Sequence, residues 1–227
     1  MALLPSLSTA AVAEELPLFS AKYDLLRYGI TVGESRLALS RGEGDTFIYE
    51  SRSRTRGVIS LFLKDRIKER SEWRYEEHSI QPLRYLYLHS GGKKERRVQL
   101  SFDWVRQRVI NDINGDAWQM PVEANTQDKL GYQLMMMRDL MQGKKEMEYV
   151  VADGGKLKVF SFAVDGTEPI ETEIGRYETV RLVRRGGKRE TTVWCASRLS
   201  YLPVRLYQKE KNGGLRKMVI TSVRGLP

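Results

Sequence analysis

The chain is poor in the residues that most enzymes and metal proteins spend at their sites. It has a single cysteine, Cys195, and two histidines, His78 and His89, among 227 residues. One cysteine excludes an intrachain disulfide. One cysteine and two histidines cannot build a usual structural zinc site without help from carboxylates. Catalysis by a Cys/His pair would need Cys195 to meet a histidine in space, and a lone cysteine more often serves as a small buried hydrophobe. No G-x-S-x-G, P-loop, H-E-x-x-H or C-x-x-C pattern occurs, so no familiar nucleophile, phosphate cradle or metal pair is offered. No apolar run approaches the roughly 20 residues of a spanning helix. Neither a metal nor a cofactor is expected, and no enzymatic activity.

Positive charge is plentiful. Lysine and arginine outnumber aspartate and glutamate 38 to 29, a formal net charge of +9. Such an excess suits anionic partners in general: nucleic acid, lipid head groups, lipopolysaccharide phosphates or acidic proteins. With hydrophobic residues at 41% and charged residues at 30%, the composition is that of a globular chain.

Residues Ala2 to Ala13 are small, apolar and uncharged, and end in Ala11-Val12-Ala13 before Glu14-Glu15. This resembles the back half of a secretory signal peptide with an A-x-A cleavage site; the positive region that normally precedes it is missing. Residues 1–13 are therefore expected to be a signal-peptide remnant and 14–227 a single β-rich domain, periplasmic after export. A secreted address also argues against nucleic acid as the client, although Tyr75, Tyr85 and Tyr87 lie near basic runs where aromatics could stack bases.

Glycine punctuates the chain. Gly42-Glu43-Gly44-Asp45, Ser90-Gly91-Gly92, Asn114-Gly115, Asp153-Gly154-Gly155, Asp165-Gly166, Arg185-Gly186-Gly187 and Asn212-Gly213-Gly214 all read as hairpin turns, which need the positive φ that Gly and Asn accept. Between them lie strand-like segments, including 85–88, 156–162, 179–183 and 204–207. Many short strands separated by turns imply a sandwich or a barrel. One stretch differs. Asn125-Thr126 can cap a helix, Leu130, Leu134, Met137 and Met141 share one helical face, and Gly143 can stop it. A helix over 126–142 packed on the sheet is expected. Met135-Met136-Met137 could form an adaptable ligand surface; core packing is the preferred reading.

The basic residues of one region are patterned. Arg52, Arg54 and Arg56 alternate with Ser51, Ser53 and Thr55, and Lys64, Arg66, Lys68 and Arg70 alternate with Asp65, Ile67 and Glu69. Strand side chains alternate between faces, so each run projects its cations to one side. If the two strands are neighbours, Arg52, Arg54, Arg56, Lys64, Arg66 and Lys68 form a patch able to bind phosphate-bearing head groups, with arginine supplying bidentate contacts. The same pattern is also how an antiparallel sheet keeps its outer face solvated. The intervening apolar stretch 57–63 is either a lip for acyl chains or buried. Asp165, Glu168, Glu171 and Glu173 cluster as well, in the manner of a solvated acidic loop.

The stretch Thr192-Val193-Trp194-Cys195-Ala196-Ser197-Arg198-Leu199-Ser200-Tyr201-Leu202-Pro203-Val204-Arg205-Leu206 resembles the signature of the bacterial family labelled "domain of unknown function 3108". Tyr28 to Glu34, Phe102-Asp103, Asp128 to Gly143 and Val164 to Gly175 resemble further segments of that family, in the same order. Gly131 and Cys195 depart from its pattern, which has serine and a larger apolar residue there. The resemblance implies an exported envelope protein with no established enzymatic activity. It also implies a mainly β fold, a large curved antiparallel sheet forming an open or spiral barrel around one amphipathic α-helix, similar to lipoprotein-carrier folds. Trp194 and Tyr201 would pack in its core, with Pro203 opening a strand. Two functions follow as expectations. One is a periplasmic binding or scaffold protein for an anionic lipid or a lipopolysaccharide-type ligand, touching a membrane surface without spanning it. The other is a module that docks an acidic envelope protein through a basic sheet face. A hydrolase is a third reading, for which the sequence nominates no acid and base.

Overall fold

Alternation along the strands decides which side of this sheet is dry. In β1 (Phe19–Arg27) the buried positions are Phe19, Ala21 and Tyr23. In β3 (Thr46–Thr55) they are Phe47, Tyr49 and Ser51. The residues between them face outward, as a period of two requires. The computed structural model describes residues 15–57, 60, 64–77, 79–92, 95–186, 190–209 and 214–227. The signal-like segment 1–13, most of the apolar stretch 57–63, His78, Gly187 and the Asn212-Gly213 turn lie outside the described residues.

The remaining strands of the first half are β2 (Ile30–Arg41), β4 (Arg66–Glu76), β5 (Ser79–Ser90), β6 (Arg96–Asp103), β7 (Arg108–Ile113) and β8 (Asp116–Pro121). A helix, α1 (Gly131–Met141), leads to the second half. That half comprises β9 (Glu146–Ala152), β10 (Leu157–Thr172), β11 (Gly175–Arg185), β12 (Thr191–Ala196), β13 (Leu202–Lys209) and β14 (Leu215–Arg224). All belong to one 14-stranded antiparallel sheet in the order β8-β7-β6-β5-β4-β3-β2-β1-β14-β13-β12-β11-β10-β9. Each half is a meander of hairpins. The two are fused where β1 pairs with β14, Ser20 opposite Arg224 and Arg27 opposite Arg216. The buried Tyr23 hydroxyl crosses this seam and donates to the Pro203 carbonyl at 2.9 Å. The sheet does not close on itself; β8 and β9 are its edges. This is the mainly β, open-barrel architecture with one helix that the sequence reading anticipates.

The hairpins fall largely where glycine and asparagine place them. Asn114-Gly115 and Gly154-Gly155 carry the positive φ of tight turns. Asp165-Gly166 is a correction. It does not end a strand: β10 runs through it to Thr172, and the pairing with β11 slips between Val164 and Thr167. A glycine inside a strand marks a bulge, and this one bends β10 so that Phe160 and Phe162 serve one core cluster while Ile170 serves the other.

The helix fills the concave side. Leu130, Leu134 and Met137 belong to the larger cluster beside Trp73, Ile80 and Tyr85. Met136 and Leu140 belong to the second cluster, with Tyr149, Phe160 and Phe162. The methionines therefore pack core on two sides. The helix begins later than the 126–142 expectation. Gln127 is extended instead: its N–H donates to the Val150 carbonyl and its carbonyl accepts from Ala152, both at 2.8 Å. Its side chain reaches β5, where Nε2 donates to the Ile80 carbonyl at 2.7 Å. Capping falls to Asp128, whose Oδ1 accepts from the N–H groups of Leu130 and Gly131 at 2.7 and 2.8 Å. Its other oxygen accepts from Ser71 of β4. At the far end Gly143, with φ +77°, stops the helix as expected.

In the C-terminal signature Trp194, Cys195, Leu199, Leu202 and Val204 are buried, and Tyr201 is half-buried against the second core cluster. Pro203 sits at the start of β13, opposite a slip in the β12 register.

Two outcomes test this frame. Burial pushes the Asp128 carboxyl up to about 6, against the lowering effect of Ser71 and the two helix N–H groups. The folded state therefore binds this proton more tightly than the unfolded chain. The stability it supplies is complete below pH 3.8 and is lost as pH rises to about 6. Asp128→Asn keeps the acceptor for the helix and removes the titration. In urea unfolding, the difference between wild type and variant is expected to change by roughly 1.4 kcal/mol per pH unit across that window and to be flat above it; a constant difference would contradict the assignment. Tyr23→Phe orphans the Pro203 carbonyl at the seam and is expected to cost about 1–3 kcal/mol in the same measurement.

Candidate functional site

The concave face grades from large to small along β1 to β4. Towards one rim, where the chain enters β1, it carries Phe19, Leu39, Phe47 and Trp73, with the Phe47 and Trp73 rings stacked at 4.8 Å. Towards the other rim the register lines up Tyr23, Ser35, Ser53 and Ile67. The row beyond is Leu206, Met218, Leu25, Gly33 and Thr55. Serine, threonine and glycine cannot fill the space that aromatics fill below them. A cavity of about 420 Å³ results, open at this rim. Its apolar walls come from Leu25, Leu26, Val32, Ile67, Leu206 and Met218, and its polar atoms from Ser53, Thr55 and Gln208. The Ser53 hydroxyl donates to Ser35 at 2.9 Å. Gly33 lets β2 lie close on β3: a Cβ there would stand 2.6 Å from the Arg54 carbonyl oxygen.

Charge gathers at the mouth. Arg27, Arg54, Arg216 and Lys217 line it, with Asp65 as the acidic member. Arg216 is directly opposite Arg27 across the β1–β14 seam. Lys217 stands 4.8 Å from the centre of the Tyr207 ring, and the Arg27 guanidinium lies 5.3 Å from the centre of the Tyr28 ring. An apolar hollow with a cationic rim has the chemistry to hold an acyl chain and an anionic head group together.

The cations singled out in the sequence do come together, on the other side of the sheet. β3 and β4 are neighbours, with Arg52 opposite Lys68 and Arg54 opposite Arg66. Lys22, Arg36, Arg52 and Lys68 form one row across β1 to β4 on the convex face. Carboxylates are interleaved. Arg52 meets Glu50 at 2.8 Å, Arg54 meets Glu34 at 2.6 Å, Arg56 reaches Asp24 and Glu34 at 3.6 and 3.7 Å, and Lys68 reaches Glu50 at 3.8 Å. Partial burial pushes Glu50 up, but its bond to Arg52 and the charges of Arg52 and Lys68 outweigh this and hold it below the usual carboxylate range. Lys64 and Arg66 are exposed at the β3–β4 end. Of the six, Arg54 is the one that also borders the cavity.

The mouth residues Arg27, Arg216 and Lys217 escape sequence reasoning because they meet through the first and last strands. A second, smaller hollow of about 110 Å³ is lined by Tyr85, Tyr87, Arg96, Lys129 and Asp153. Beside it Glu69 accepts from the Tyr85 hydroxyl and pairs with Lys129 at 3.3 Å, so its charges are largely matched. Cys195 lies in the second core cluster, where burial pushes its thiol up, while His89 meets Asp65 at 3.4 Å at the end of β5. Glu168 accepts from the Trp194 indole at 2.8 Å and from Arg181 at 3.1 Å, which gives one member of the acidic cluster a structural task. Among the described residues no three His, Cys, Asp or Glu side chains group to hold a metal, and no helix is long and apolar enough to cross a membrane.

The fold is shared with a β-barrel-like protein of domain of unknown function DUF1849 from Brucella abortus. The TM-score is 0.59 at 9% identity, over 92% of this chain and 98% of that one. A "putative lipoprotein" from Parabacteroides distasonis superposes over 93% of this chain and 100% of that one, at a TM-score of 0.34 and 9% identity. No curated protein sequence matches the chain. The model of one family matches residues 19–221, nearly the whole sheet, and the chain belongs to that family, described as Protein of unknown function (DUF3108).

Proposed function

We propose that this protein is a non-enzymatic, exported binding protein of the periplasm that holds an anionic amphiphile, of the lipid or lipopolysaccharide type. The observation that carries the reading is the cavity of about 420 Å³ with apolar walls and a cationic mouth. Its size falls within the roughly 300–1,000 Å³ of small-molecule sites. Its walls can cover an acyl segment, and Arg27, Arg216 and Lys217 can meet a phosphate or carboxylate at the opening. Export is supported by the Ala2–Ala13 segment.

A second reading has its own observation. The row Lys22, Arg36, Arg52 and Lys68 gives the convex face a line of cations at the spacing of neighbouring strands, about 4.8 Å apart. Such a row suits an acidic protein, although the interleaved Glu34 and Glu50 reduce its field, and exposed ion pairs of this kind contribute about 0–1 kcal/mol each.

The two separate experimentally. Native mass spectrometry with lipid extraction, on protein purified from its own periplasm, is expected to show a co-purified acidic lipid. A fluorophore-labelled fatty acid is expected to bind in solution. Leu206→Glu places a carboxylate in the apolar wall and is expected to weaken fatty-acid binding about ten-fold or more, with the circular dichroism spectrum unchanged. Arg52→Ser with Lys68→Ser is expected to leave it unaltered. A wild-type protein that carries no lipid and binds no fatty acid would overturn the carrier reading, and loss of binding in the Arg52/Lys68 variant instead would move the site to the convex face.

A further inference from the structure

In an antiparallel meander alternate turns share a rim. The ends of β1, β3, β5 and β13 and the starts of β2, β4, β6 and β14 therefore lie on the rim where the cavity opens. The β2–β3 and β4–β5 connections lie on the opposite rim. Around the mouth stand Arg27, Arg56, Lys64, Arg66, Arg216 and Lys217, with Asp24, Glu34 and Asp65 as the acidic groups among them.

The mouth rim also presents apolar groups to solvent. Tyr28 is 66% exposed and Ile30 is 68% exposed, on either side of Gly29 in the β1–β2 turn. Ile30 is the last member of a cross-strand row, Gln208, Arg216, Arg27, Ile30, that runs along the lip. Tyr28 adopts φ +52° in this two-residue turn. That left-handed conformation favours asparagine or glycine and is costly for a bulky aromatic residue. The turn alone does not call for a tyrosine, and burial does not reward it, although the centre of its ring lies 5.3 Å from the Arg27 guanidinium.

We infer that this rim docks on an anionic lipid bilayer, with Tyr28 and Ile30 entering the head-group region and the surrounding cations meeting lipid phosphates. A tyrosine ring is amphipathic and settles at the depth of the membrane interface. Each lysine or arginine held near an anionic leaflet adds about 1 kcal/mol, a five-fold gain in partitioning. Docking would bring the cavity mouth against the source of its ligand. The inference thus deepens the carrier reading by naming where loading takes place, and it can fail separately from it.

The test is co-sedimentation of the wild-type protein with vesicles of phosphatidylglycerol and phosphatidylcholine in equal parts, beside vesicles of phosphatidylcholine alone. Binding to the anionic vesicles, weakened by salt, and little binding to the neutral ones is the expected result. Tyr28→Asn with Ile30→Ser is expected to lower the partition coefficient about ten-fold or more. The stability of that variant should hold or rise, because asparagine suits the turn. Arg56→Ser with Arg66→Ser should lower partitioning about five-fold per cation, and Arg52→Ser with Lys68→Ser should leave it unchanged. Absence of binding to anionic vesicles would overturn the proposal. So would binding that ignores Tyr28 and Ile30 but is lost with Arg52 and Lys68. Fatty-acid binding in solution, measured on the Tyr28/Ile30 variant, and vesicle binding, measured on Leu206→Glu, keep the two readings apart: each is expected to survive the other's variant.

Discussion

The pairing of β1 with β14 is the constraint on which the molecule rests. Without it the chain would make two independent meanders, each with an exposed concave face. With it, hairpins from both halves share one curved surface, and the helix that links the halves is enclosed by that curve. The functional geometry depends on the same seam. Leu25 and Met218 face one another across it, as do Arg27 and Arg216. Neither half alone possesses the cavity wall or its cationic mouth.

Packing then divides the interior. Close-packed cores leave few voids larger than a water molecule, so an open hollow beside a dense aromatic cluster has to come from the residues that line it. Here it comes from substituting small polar side chains for large ones at core-facing positions as the strands approach one rim. Asp128 and Gln127 hold the opposite, filled region in place by tying the helix and edge strand β9 to β4 and β5. One side of the interior is cross-braced by hydrogen bonds and the other is lined by small polar side chains around a hollow.

Much of the architecture is legible in the sequence, because turns and two-residue alternation are local signals. Asn114-Gly115 and Gly143 could be placed from residue type alone. Asp165-Gly166 could not, since a bulge and a hairpin both call for positive φ, and the choice was made by the length of the core that β10 spans. The helix starts later than residue type suggests for a similar reason: Gln127 finds better hydrogen bonds on β9 and Ile80 than in a helical turn. The run Arg52 to Thr55 is the most instructive case. Its arginines draw the eye and face solvent, whereas the serines and threonine between them face inward and make room for the cavity. The mouth cations Arg27 and Arg216 carry no local pattern at all, because only long-range pairing makes them neighbours.

The open edges of the sheet have a consequence for assembly. A strand edge offers unpaired N–H and C=O groups to any similar strand, and indefinite growth of a fibre requires two such edges on every molecule. In this protein the backbone of Gln127 already occupies the Val150–Ala152 end of β9, and β8 ends at Pro121, which has no N–H to offer. One edge is covered at one end by the chain's own connector, and the other is short. The sheet can therefore remain unclosed without becoming a template for its own polymerisation.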